Sequence, residues 1–170
     1  EPYRVDDLYG ACDMFPELNF EIVHGGMAFT DETAQLIALF PNAFVNLEVT
    51  ALFLHRAPGL FEDILGKFLM WGGPQKIVFS SAALLSHPQA LYEKMAALEL
   101  SEAVRHRYRL SPLSHDDKAL ILGGNSAAIT GIDLDARRAG IRDDEFARRR
   151  CAVGIREPYE SWRRWAVERG

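Results

Sequence analysis

At 170 residues, 48% hydrophobic and 25% charged, the chain has ordinary globular composition and enough length for one domain with a real core. A net charge of -5 argues against a non-specific nucleic-acid surface, and no apolar run approaches the roughly 20 residues that a membrane span needs. Cys12 and Cys151 stand far apart without a metal-type spacing, which argues against a disulfide framework or zinc ribbon and makes a reducing cytoplasm the expected compartment.

The chain starts at Glu1 without Met and carries no signal-peptide pattern, as expected of a fragment, a processed chain or a numbering that begins partway into a gene product. Apolar residues at Val5, Leu8, Ala11, Cys12 and Phe15 have helical spacing, closed by Pro16. Phe20 to Phe29 follows, where a short run with β-branched Ile22 and Val23 ends in His24-Gly25-Gly26. This pattern predicts a strand feeding a functional loop, with His24 at the strand's carboxyl end, where α/β proteins place their chemistry. A core histidine with a backbone partner fits the same spacing.

Thr30 or Asp31 is placed to cap a helix carrying Leu36, Ile37 and Phe40 and stopping before Pro41. Ala43 to Ala51 alternates and predicts a second strand, with Val45, Leu47, Val49 and Ala51 on one side and Phe44, Asn46, Glu48 and Thr50 on the other. Leu60, Phe61, Ile64, Leu65, Phe68 and Leu69 recur at helical intervals up to Gly72-Gly73-Pro74. Lys76 to Phe79 predicts a third strand, running into Ser80 and Ser81, and Ser86 with Gln89 has capping-box spacing for a helix with Leu91, Met95 and Leu98. Three strand-helix repeats in a row predict parallel strands.

The Arg105 to Arg109 cluster reads as a solvated loop rather than a phosphate site. A helix is expected over Ser114 to Leu122, with Asp116 and Asp117 in its first turn, then a break at Gly123-Gly124-Asn125 and a further helix over Ser126 to Ile129. Residues 131–170 hold ten of the nineteen basic residues against eight acidic ones. Arg148 to Arg150 reads as an exposed helix end, and Trp162 and Trp165 as one side of a terminal helix packed against this or another subunit.

Four ordered motifs, Phe20 to Gly26, Phe40 to Leu47, Trp71 to Ser81 and Ile121 to Ala127, together resemble the carboxyl-terminal part of the amidohydrolase superfamily. The nearest likeness is to the branch of aminocarboxymuconate-semialdehyde and resorcylate decarboxylases. The resemblance covers residues 5 to 132 and implies an α/β fold, a partial TIM-type (β/α)8 barrel made of strand-helix units six to eight plus carboxyl-terminal helices. A whole barrel takes about 250 residues, so this chain cannot close one. The expected organisation is a barrel portion over residues 1–132 and a helical extension over 133–170 for packing or subunit contact.

The resemblance assigns His24 to the strand-six histidine, an acid or base in the decarboxylase-like branch and a metal ligand in others. The eighth-strand Asp, which in the family ligates metal and handles a proton, is replaced here by Ala82 within Ser80, Ser81, Ala82, Ala83. Ser80 and Ser81 are expected to hold a substrate oxygen by neutral hydrogen bonds. Glu48 is a candidate substrate-binding residue on the polar face of the second strand, or a lumen carboxylate paired with a cation. Arg56, with His55 beside it, would suit a substrate carboxylate, whereas His87 before Pro88 is expected to serve helix geometry.

The implied function is part of a hydrolase or decarboxylase acting on a small carboxylated substrate. A missing amino-terminal half, a partner half-barrel chain or a homo-oligomer partner would complete the site. A divalent metal, zinc foremost, is expected only if that polypeptide brings the family's strand-one and strand-five ligands. The alternatives are a metal-free enzyme relying on His24 and a catalytically degenerate subunit that stabilises or regulates a partner. No nucleic-acid or membrane partner is expected.

Overall fold

Phe20–Ile22 (β1), Ala43–Asn46 (β2) and Ile77–Val78 (β3) form a parallel sheet in the order β1-β2-β3 in the computed structural model, which describes residues 4–153. Ile22 stands beside Val45 and Val45 beside Ile77, so the β-branched residues make one buried row across all three strands. Residues Glu21, Phe44, Asn46 and Val78 occupy the opposite face.

The helices follow from stripe and stop signals. Asp6–Met14 (α1) precedes β1, and Thr30–Leu39 (α2) lies between β1 and β2, with Leu36 and Ile37 buried. Phe53–Arg56 (α3) and Pro58–Gly72 (α4) lie between β2 and β3. α4 starts with a proline in its first turn, buries Phe61, Leu65 and Phe68, and ends at Gly73 with φ 73°. Beyond β3 come Pro88–Ala96 (α5), Glu102–Tyr108 (α6), His115–Ala119 (α7) and, after a wide π-type turn over Leu120–Gly124, Asn125–Ile129 (α8). Ser114 and Asp117 satisfy each other's backbone N–H groups in a capping box at the start of α7.

Polar side chains fasten the amino ends of the strands. Asn42 Nδ2 donates to the carbonyls of Cys12, Phe15 and Leu18, and Asn125 Nδ2 donates to those of Pro74 and Ile77. Lys76 Nζ donates to the carbonyls of Phe40, Pro41 and Ala43 and sits 4.8 Å from the centre of the Phe44 ring. Burial pushes the Lys76 pKa down and raises that of the nearby Cys12 thiol.

Four local expectations are corrected. The second strand stops at Asn46 rather than Ala51, because the Asn46 side chain takes the Glu48 N–H at 2.9 Å and Val49 turns to φ 59°. The cluster at Arg105 to Arg109 is largely helical: Ser101 caps α6, Val104 buries it, and Arg109 closes it in the left-handed conformation. The cap of α5 is His87, whose Nδ1 accepts from Gln89 N at 3.2 Å, in place of the Ser86 capping box. At α2 the N-cap position is Phe29 with no side-chain cap, while Thr30 Oγ1 and Asp31 instead meet Lys67.

The chain divides into two compact units, Glu1–Thr130 and Gly131–Gly170. In the second, Asp133 caps Leu134–Ile141 (α9) by accepting from two backbone N–H groups, and Glu145–Val153 (α10) exposes Arg148, Arg149 and Arg150. Trp162 and Trp165 lie outside the described residues. No helix among the described residues is long and apolar enough to cross a membrane.

Candidate active site at the carboxyl ends of the strands

Immediately after β1 the backbone makes a turn in which His24, Gly25, Gly26 and Met27 all have positive φ, at 61°, 60°, 74° and 53°. For His24 and Met27 this region is costly, and such strain persists only where the surroundings enforce it. Gly26 is required by space as well as by φ, since a Cβ there would lie 1.9 Å from Thr33 Oγ1 of α2. Thr50 ties this turn to the one after β2, its Oγ1 donating to the His24 carbonyl at 2.6 Å.

The His24 side chain is 30% exposed, but its Nδ1 is sealed from solvent and has no hydrogen-bond partner among the described residues. Glu48 Oε2 approaches that nitrogen to 3.6 Å, too far for a hydrogen bond but with the carboxylate facing the ring. Neutral imidazole beside a carboxylate is favoured with its proton on the facing nitrogen, which leaves Nε2 with the free lone pair. The arrangement can therefore take up or deliver a proton at Nε2.

The structure thus brings His24 and Glu48 together from two successive strand ends. Ser80 and Ser81 are half-buried after β3, and Arg56 is exposed in the last turn of α3. No hydrogen bond or ion pair joins these three to the His24–Glu48 pair among the described residues. His55, next to Arg56, has its pKa lowered by burial and by the Lys94 ammonium. Ala82 is buried with φ 47° at the position where the resemblance expects Asp. Asn46, Thr50 and Glu21 complete the network without having been singled out from sequence. Their signal was the polar alternation Asn46, Glu48, Thr50, which marked a face but not the bonds made by each member.

A parallel β/α sheet with its ionisable side chains at the carboxyl ends of the strands is the layout of a TIM-type barrel, of which this chain forms part. The Amidohydrolase family model matches residues 3–132, and the chain belongs to the amidohydrolase family. Among solved structures it is similar to an amidohydrolase from Burkholderia multivorans with bound zinc, at 20% sequence identity and a TM-score of 0.50. The match covers 76% of this chain and 49% of that one, so the chain spans about half the length of that protein. No curated protein matches the chain.

Protein zinc sites use three or four ligands from His, Cys, Asp and Glu. His24 and Glu48 supply two such groups, and no set of three or more suited to a metal ion occurs among the described residues. The orphaned Nδ1 faces a carboxylate rather than an open cradle of donors. These residues alone do not fit a metal.

Proposed function

We propose that this chain is the carboxyl-terminal part of an amidohydrolase-family hydrolase or decarboxylase acting on a small carboxylated substrate. Polypeptide carrying the first five strands completes the site, either upstream in the same protein or in a partner chain. The observation that carries this reading is His24, held in a positive-φ turn with Nδ1 sealed beside Glu48 and the side chain 30% exposed. In a decarboxylation, the carbon–carbon bond to the carboxylate breaks, carbon dioxide leaves, and His24 Nε2 delivers a proton to the carbon that keeps the electron pair. In a hydrolysis the same nitrogen takes a proton from water.

Arg56 is suited to the substrate carboxylate and Ser80 and Ser81 to its neutral oxygens. Any divalent metal would be held mainly by the completing polypeptide. A protein purified with that polypeptide, given a panel of aromatic and aliphatic carboxylates, should lose about 10²–10⁴-fold in turnover in His24→Ala. Undiminished turnover in that variant would reject the assignment.

Ala82 supports a second reading, a metal-free or catalytically degenerate subunit that stabilises a partner, because a methyl group neither ligates a cation nor carries a proton. At φ 47° the site tolerates Asp better than most residues. Ala82→Asp in the assembled protein therefore tests whether the remaining ligands are present: tighter zinc binding favours the enzyme reading, and unchanged metal affinity the degenerate one.

A further inference from the structure

We infer that Asn46 is a positioning residue, anchored by Glu21, that sets the Glu48 carboxylate against His24 and thereby fixes the histidine's tautomer. The inference rests on the reading of His24 as the proton-transfer group. Asn46 ends β2, is 9% exposed, and shares the sheet face of Glu21. Both ends of its carboxamide are engaged: Nδ2 donates to Glu21 Oε2 at 2.8 Å and Oδ1 accepts from Glu48 N at 2.9 Å. The orientation follows from chemistry, since an ionised carboxylate only accepts and a backbone N–H only donates.

This pair of bonds has a geometric consequence. Capture of the Glu48 N–H two residues on stops the ladder, and the chain turns through Val49 at φ 59°, a costly conformation for a β-branched residue. That turn leaves Glu48 Oε2 3.6 Å from the buried Nδ1 of His24. Without the Glu21 anchor the carboxamide is held only by the Glu48 N–H, and without the carboxamide that N–H loses its acceptor, although Leu47, Ala51 and Thr50 still bond within and beside the turn. Asp at 46 would keep the acceptor for Glu48 N–H but set a second carboxylate against Glu21.

The test reads the tautomer directly and needs no substrate. The protein, purified with the polypeptide that completes it and grown on 15N-histidine, is examined by long-range 1H–15N correlation above about pH 8, where an ordinary imidazole is neutral. His24 is assigned by loss of its signals in His24→Ala. The wild type should show a protonated Nδ1 and a bare Nε2, and Glu48→Gln and Asn46→Asp should shift the proton toward Nε2. Asn46→Asp combined with Glu21→Gln restores the bond with donor and acceptor exchanged, and should return the wild-type pattern.

Glu21→Ala removes an exposed side chain and keeps the test decisive if Asn46→Asp does not fold; it too should shift the proton toward Nε2. A wild type protonated on Nε2, or a pattern unmoved by Glu21→Ala, overturns the inference. Activity retained in His24→Ala would instead overturn the functional reading, so the two failures are told apart.

Discussion

Gly26 is the residue on which the turn at His24 depends, because a side chain there is opposed both by its φ of 74° and by Thr33 Oγ1, which would lie only 1.9 Å from an added Cβ. Gly26→Ala should cost roughly 2–4 kcal/mol in chemical denaturation, from backbone strain and the clash. Gly10, inside α1 with nothing within 4 Å of its missing Cβ, gives the opposite sign: Gly10→Ala should stabilise by about 0.5–1 kcal/mol. Equal effects at the two positions would mean the turn is not held as described. The turn at His24 was legible in the sequence because two consecutive glycines mark it. Asn46 and Thr50 were not, because their roles lie in bonds between segments 25 and 26 residues apart in sequence.

The strands have two differently built ends. Their amino ends are fastened by Asn42, Lys76 and Asn125, whose side chains satisfy carbonyls of neighbouring segments, while their carboxyl ends carry His24, Glu48 and the two serines. Such a division matches barrels in which one face keeps the fold and the other does the chemistry. Lys76→Met should therefore lower stability by about 2–3 kcal/mol and the melting temperature by roughly 5–10 °C. A loss below about 1 kcal/mol in thermal and urea unfolding would show that those three carbonyls are served equally well by water.

At this scale the sequence was readable where periodicity and stop signals agree, as for α1, α2, α4 and the existence of all three strands. It misled where one signal stood alone. Leu47, Val49 and Ala51 keep a period of two through a turn that Asn46 has already made, so the second strand read too long. Charge at Arg105 to Arg109 suggested a loop, although Val104 and the Ser101 cap are enough to make a helix.

For the molecule as a whole, a three-stranded parallel sheet leaves β1 and β3 at its edges, and its second face carries the exposed Glu21. Parallel sheets are ordinarily covered on both faces. Produced by itself, the chain should bind the dye ANS and unfold with low cooperativity, and co-production with the polypeptide bearing the first five strands should abolish dye binding and sharpen the transition. A dye-silent, sharply cooperative chain on its own would remove the case for a completing polypeptide. The match to about half of a zinc-bearing amidohydrolase gives that expectation its length scale. The family was legible from four short motifs in order. The make-up of the site was not, since it depends on bonds between segments far apart in sequence.

The Thr50 hydroxyl that grips the His24 carbonyl makes two neighbouring loops a single mechanical piece. Anyone wishing to retune this scaffold by transplanting the segment after β2 from a relative would be altering the histidine's seat as well. The two segments are therefore best exchanged together, as one cassette.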